Sequence, residues 1–597
     1  ESHFGNRGVG LWVVQGIMGS ALCSGEKPAV HVCRFPMYVI KVSDFLEMEG
    51  PPEPHDVLVE KNVLHVREPG MFVLFVSHQW LGSEHPDPTG QQLSVLRSAL
   101  RGMLSGQLSV EEDLTSMTPD ARLAHGNIKK ISPETMQRIG NGYLFLDWFA
   151  IPQITARKHG VNEEDTRSDA ARAVQSIPAY VEASDVFVAL VPELTHADTG
   201  LPCNYTSWLS RGWCRAELWC RLLSNKADTS VVVVFSPREA ELMFPLDWQR
   251  NLIADGRFTV ESDRSTVVKL GEVALHSKLE TLRQEGPLSH YRFYLACRAR
   301  LLGRKACELT CEEFLSIFLF PDLDSAVSSS NPMNGLFCAV LSGNAPMIQC
   351  LAEKRADVNY RITGLNDLGY YETQTLLMAA AKSHQEPEVL STLISFRADV
   401  HARARSGISV TFVVRSPGQV TTLLAARADF VGKGGVPALN GAASRANTET
   451  VRALLKCRCD PDFPVDAKYG AIHALALFGR GNPMATSNLK LLLEHKALVN
   501  RRAQPSGQMA EECLLAARLA DKDGLENSST LVRTWGSLPG LSTLGCAALV
   551  GDSSMVKLLL EARAEASVND RGNLPFELAE ACGHSHLLPL LETTFYA

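Results

Sequence analysis

The phrase LAEKRADVNYR (351–361) decides how this chain is read, because it returns five more times. The copies are LISFRADVHAR (393–403), LLAARADFVG (423–432), LLKCRCDPDF (454–463), LLLEHKALVNRR (491–502) and LLLEARAEASVND (558–570). Each runs leucines, a spacer, a basic residue, a small residue and, in most copies, an acid. The small residue is Ala356, Ala398, Ala428, Cys459, Ala497 and Ala564, with successive gaps of 42, 30, 31, 38 and 67. A phrase recurring at near-constant spacing marks supersecondary units that stack because none can bury its own apolar face. Upstream of the leucines lie short stretches rich in small residues: GLFCAVLSGN (335–344), TLLMAAAKS (375–383), ALNGAASRAN (438–447), LGCAALVGD (544–552) and PFELAEACGH (575–584). Alanines suit a first helix packed closely on its neighbours, and the leucines of a second helix fill the shared core. Gly343, Gly551 and Gly583 stand where the first helix ends, a position favouring left-handed backbone.

From Asn334 to Leu591 the chain resembles the ankyrin family. The family's TPLH tetrapeptide is blurred to TLLM, AIHA, STLG and NLPF, and His473 is its one surviving histidine. The last gap is about twice the 33-residue ankyrin period, which predicts a degenerate repeat between Ala503 and Pro539. Thr411-Phe412-Val413-Val414 and Pro417-Gly418 occupy the place of a first helix, so the third repeat is expected to be irregular. The resemblance implies an all-α solenoid of about seven repeats over 334–597. It implies no catalytic machinery there, and a concave face that binds a protein partner.

Composition bounds the rest. At 597 residues the chain exceeds a single core. A net charge of −8 carries no basic excess that would point to nucleic acid. Fifteen cysteines lie scattered without paired CxxC motifs, which suits reduced thiols in the cytoplasm. No run of about 18 apolar residues predicts a transmembrane helix. The chain opens at Glu1, which leaves its true start undecided. Gly8 to Leu22 is apolar, and Met18-Gly19 begins a near-match to a myristoylation signal with Cys23 in the Ser/Thr position. The plainer expectation for residues 1–69 is a partly disordered leader, with an added strand and helix within 37–70.

Four apolar runs precede the repeats: FVLFV (72–76), YLFLD (143–147), DVFVALV (185–191) and VVVVF (231–235). Helical patterns separate them at Gln91–Met103, Ser168–Ala183 and Ser210–Ser224. Apolar strands alternating with helices predict a parallel sheet covered on both faces. The crevice of such a sheet lies past the C-terminal strand ends, where Ser77-His78-Gln79-Trp80 and Asp147-Trp148 emerge. The expected domains are therefore an α/β domain at 70–240, a helical extension at 241–325, a linker at 326–333 and the repeats at 334–597.

Within the α/β stretch FVSHQW (75–80), SIPAYVEASDVFVALVPE (176–193) and WCRAEL (213–218) resemble Toll/interleukin-receptor (TIR) domains. LFLDWFAIPQ (144–153) and SRGWCRAEL (210–218) are similar to fungal heterokaryon-incompatibility (HET) domains. The resemblance implies a flavodoxin-like sheet and a signalling scaffold whose TIR-like module self-associates into a homo-oligomer or acts as an effector. Some TIR domains instead cleave NAD, and that alternative would make NAD a substrate. The resemblance then implies Glu217 as the catalytic carboxylate, Asp147 as a weaker second, and Ser77, His78, Trp80, Trp148 and Trp213 as NAD contacts. One carboxylate to stabilise an oxocarbenium-like state and an aromatic wall are what such chemistry needs. The plainer reading pairs Glu217 with Arg211 or Arg215, packs Trp213 and Cys214 in the core, and makes Asp147 a turn cap. No metal-ligand spacing supports a metal at His78 or His85, and no cofactor is expected.

Overall fold

The computed structural model describes residues 32–113, 129–153, 163–243, 246–305, 309–431, 436–463 and 469–592. The apolar stretch 8–22, with Gly19, lies outside them. Two compact units divide the described chain. One holds residues up to Val110 with 130–243 and 247–281; the other holds 282 onward together with 111–113, 129 and Leu246. The division falls inside the stretch read as a helical extension.

In the first unit β1 (Tyr38–Lys41), β2 (Leu64–Val66), β3 (Val73–His78), β4 (Tyr143–Phe145), β5 (Val186–Leu190), β6 (Val231–Ser236) and β7 (Glu239–Leu242) lie in the order β2-β1-β4-β3-β5-β6-β7. The four predicted runs form the parallel centre, β4-β3-β5-β6. The edges are antiparallel: β1 on β4 and β2, and β7 on β6. The sheet is thus mixed, and the segment expected as a leader supplies two of its strands. Burial explains the central pairing, because every residue of β3 and β5 is buried and such strands must be covered on both faces.

Side chains alternate across the sheet. Leu74 and Val76 pack with Leu93, Leu96 and Leu100 of α1 (Gln91–Ser105). On the opposite face Phe75 stacks between Phe145 at 4.7 Å and Phe187 at 5.3 Å. Here the chain runs from β3 sideways to β4, then crosses back to β5 on β3's other flank. This order, reversing beside β3, makes the C-terminal ends of β3 and β5 a topological switch point, where open α/β sheets form their crevice.

The second unit is a stack of helix pairs, the arrangement the ankyrin resemblance implies. The inner elements follow one another in contact: Gly335–Ser342, Leu376–Lys382, the 3-10 turn Val410–Val413, Ala438–Arg445, Ala471–Phe478, Thr543–Val550 and Pro575–Ala581. The outer helices Ala345–Glu353, Pro387–Ser395, Pro417–Ala425, Thr448–Lys456, Ala485–Glu494 and Ser553–Glu561 form the parallel row. The third layer is irregular as expected, a single 3-10 turn replacing its inner helix. Polar side chains open most helices: Asn334, Asn344, Thr375, Ser416, Asn447, Ser542 and Asp552 each accept a backbone N–H of the first turn.

The recurring phrase is a helix stop. In the first copy Ala356 N–H donates to Leu351 O and Arg355 N–H to Ala352 O, the paired bonds of a Schellman motif. The same two bonds recur at Ala398, Ala428, Cys459, Ala497 and Ala564. The motif needs left-handed backbone at the residue before the anchor. Arg355, Arg397, Arg427, Arg458, Lys496 and Arg563 all take it, with φ from 60° to 69°. Gly343, Gly551 and Gly583 are left-handed as well.

Two expectations are corrected. The 67-residue gap hides no repeat: the inner helix Ala471–Phe478 packs directly on Thr543–Val550, and the outer helix Ala485–Glu494 on Ser553–Glu561. Asn500 Oδ1 accepts Glu565 N–H at 2.9 Å, as Asn359 Oδ1 accepts Asp399 N–H at 2.8 Å between the first two layers. Residues Gln508–Asp523 and Thr530–Ser537 form an inserted helical hairpin. It grows from a turn whose ends are joined by the Arg502–Ser542 bridge. The equivalent turns close at Arg361–Thr375 and Arg403–Ser409. The second correction concerns the expected linker. It holds the helix Leu323–Ser328, and its Ala326 and Met333 are fully buried.

Candidate functional site

The C-terminal ends of β3 and β5 gather most of the candidate residues. Ser77 and His78 are neighbours on β3, so they point to opposite faces. Ser77 Oγ donates to Glu217 Oε2 at 2.5 Å and accepts the indole N–H of Trp208 at 3.1 Å. Glu217 sits on α5 (Gly212–Leu222), and Trp208 on α4 (Tyr205–Ser210) just before it. On the other face His78 Nε2 meets Asp147 Oδ1 at 2.8 Å, and its Nδ1 meets Gln92 Oε1 at 2.8 Å. Asp147 starts α2 (Asp147–Ala150). Its Oδ1 accepts the Trp148 N–H and its Oδ2 the Trp80 indole N–H at 3.1 Å.

The two carboxylates differ in how much of their capacity is spent. Asp147 accepts three hydrogen bonds, and its side chain remains 34% exposed. Burial alone would raise its pKa, but the His78 charge and the hydrogen bonds of His78, Trp80 and the Trp148 amide outweigh that and hold it low. Burial alone would lower His78, yet Asp147 and the bonds to Asp147 and Gln92 hold it above its usual value. Both shifts favour the charged form of the pair. Glu217 has the Ser77 bond alone, and its Oε1 has no hydrogen-bond partner among the described residues. Burial pushes its pKa up to about 7; Asp147 adds to the rise, while the Ser77 bond and His78 oppose it. Glu217 still keeps solvent-accessible surface. A carboxyl largely enclosed by protein, still touched by solvent and titrating near 7, is suited to proton transfer.

The plainer pairing of Glu217 fails. Arg215 donates to Leu209 O and Leu252 O, and Arg211 to Thr259 Oγ1. Trp148 is not a site wall: it is core, 1% exposed, with its indole N–H on Pro52 O at 3.0 Å. Trp213 shares a helix with Glu217 but sends its indole N–H to Asp263 Oδ2 at 3.2 Å. Cys214 is buried, its Sγ against His78 O at 3.6 Å. Trp208, Gln92 and the Gln79–Ser207 contact at 2.8 Å complete the network. Trp208, Gln92 and Ser207 come from helices that approach the strand ends only in three dimensions, so sequence reading missed them. Among the described residues no group of His, Cys, Asp and Glu is arranged to hold a metal ion.

The array offers a second candidate surface, though not the expected one. A concave face open to a partner would expose side chains along the inner helices. Every residue of Gly335–Leu341, Leu376–Lys382, Ala438–Ser444, Ala471–Leu477 and Thr543–Val550 is instead buried. The array does expose an edge of repeated turns, where all six left-handed cations are open to solvent. Among the described residues no helix is long and apolar enough to cross a membrane.

No protein-family model matches this chain. No curated protein matches it either. Solved structures similar to it include the human ASB11 ankyrin repeat domain, at 17% identity over 41% of this chain and 95% of that one, with a TM-score of 0.29. The ankyrin repeat domain of Bcl-3, described as a unique member of the IkappaB protein family, is 22% identical over 42% of this chain and 97% of that one, with a TM-score of 0.28.

Proposed function

We propose that this chain is an intracellular scaffold whose helical array binds a protein partner and whose α/β unit is the signalling module, acting by self-association or as an effector. One observation carries the reading: the array's layers follow one another without a break across the inserted hairpin, so the same exposed turn is presented six times along one edge. A solenoid edge of this kind suits an extended protein contact. The experiment is cross-linking of the full-length chain to proteins retained from lysate, with mass-spectrometric location of the links. Links concentrated in 334–592 are expected. Retained proteins linked only within 73–236, or none retained, would contradict the reading.

A second reading is favoured by Glu217: the α/β unit hydrolyses the N-glycosidic bond of NAD. The reading is supported by the free second oxygen of Glu217, which would face the ribose, and by the Asp147–His78 contact at the strand ends beside it. A negative group there would stabilise the developing oxocarbenium. Incubating the full chain at high concentration with NAD should release nicotinamide, and Glu217→Gln should lower the rate at least a hundredfold. Absence of turnover in the unaltered chain leaves the scaffold reading alone.

A further inference from the structure

We infer that Arg355, Arg397, Arg427, Arg458, Lys496 and Arg563 form one docking ridge for an acidic segment of a partner protein; this rests on the protein-binding reading and names its surface. The ridge is continuous because contacts join every successive pair of turns. Asn359 Nδ2 donates to Arg397 O at 3.2 Å, and Arg403 pairs with Asp429 at 3.5 Å. Cys459 Sγ lies 3.9 Å from Phe430 O, Leu498 N–H donates to Asp462, and Asn500 Nδ2 donates to Arg563 O. The last contact spans the insertion, so the hairpin does not interrupt the row.

Three further facts point to a ligand. All six side chains are exposed, and among the described residues none makes an ion pair or a side-chain hydrogen bond. Each stands where glycine would satisfy the backbone with less strain, so helix termination does not account for the positive charge. Four of the five acids two residues further along are already engaged in their own turns. Asp357, Asp399 and Asp460 accept the N–H groups of Asn359, His401 and Asp462, and Asp429 accepts that of Val431. The spacing between turns is that of packed helices, about 8–10 Å. That is close to the screening length at physiological salt, so neighbouring cations act together on one chain.

A polypeptide fits better than a nucleic acid. The whole chain carries −8, and a continuous run of phosphates would meet a carboxylate at five of the six turns, Asp357, Asp399, Asp429, Asp460 and Glu565. An acidic peptide can place its charges at intervals.

The test uses the full-length chain and a fluorescein-labelled peptide of six glutamates separated by pairs of serines, about 10 Å apart when extended, followed by fluorescence anisotropy. Binding is expected at low salt and should weaken at least tenfold when salt is raised. Replacing all six cations by glutamine keeps the backbone demand and removes the charge; it should weaken binding at least tenfold more. Arg397→Gln, Arg427→Gln and Arg458→Gln together should give an intermediate loss, and they serve if the full set fails to fold. Equal binding by the variants and the unaltered chain would overturn the ridge, even if cross-linking places a partner elsewhere on the array. Tighter binding of a homopolymer RNA than of the peptide would overturn the assignment to an acidic protein.

Discussion

At the scale of the residue, two groups sit in conformations or environments that need explaining. The first is the left-handed cation before each anchor. An L-residue with a β-carbon pays about 1–2 kcal/mol for that conformation, and glycine's freer unfolded state offsets part of the gain from removing it. Arg427→Gly should therefore stabilise the array by about 1 kcal/mol, read as a raised denaturant midpoint with an unchanged slope. A destabilised variant would mean that the arginine side chain supports the fold. The second is Glu217. Its carboxyl holds its proton to about pH 7, against an ordinary value near 4.5. The stability this contributes is fully present below about 4.5 and is lost as pH rises through about 7. Glu217→Gln should flatten the fall in stability across that window; an unchanged pH profile would mean the group titrates normally.

The same scale shows what could be read ahead of the structure. Ser77, His78, Asp147 and Glu217 were legible because strand ends and a helix phrase locate them directly. Trp148 and Trp213 were misplaced because a tryptophan near a crevice serves the core as readily as a ligand, and only the partners of its N–H distinguish the two. Trp208 and Gln92 gave no local signal, since their role comes from helix docking.

At the scale of the element, the repeats were legible because a Schellman stop combines short-range requirements: a leucine inside, a left-handed residue and a small anchor. The inserted hairpin was not, because its length happens to match one missing period. Its ends meet at the Arg502–Ser542 bridge, so the array should tolerate its removal. Excising 504–540 and closing the gap with a short turn should preserve cooperative unfolding of the layers at 438–494 and 543–561, measured by hydrogen exchange. Loss of protection in both would show that the hairpin is a structural layer. By contrast, Leu454→Ala removes a fully buried side chain of an outer helix and should cost about 3 kcal/mol.

At the scale of the whole molecule, the chain combines a mixed sheet with a stack of helix pairs. The sheet's antiparallel edge was only partly legible, because the segment 37–70 was expected to add one strand and one helix, and it supplies both β1 and β2. Pro54 opens the helix His55–Glu60. Most inner-helix residues are buried, which is why the proposed partner surface is the turn edge and not the concave face. The most direct test is hydrogen exchange of the full-length chain with and without a protein identified by cross-linking. Slowed exchange concentrated at the six turns, 355–360, 397–402, 427–431, 458–463, 496–501 and 563–568, is the predicted result. Protection confined to the α/β unit, or spread with no preference for those turns, would contradict the account.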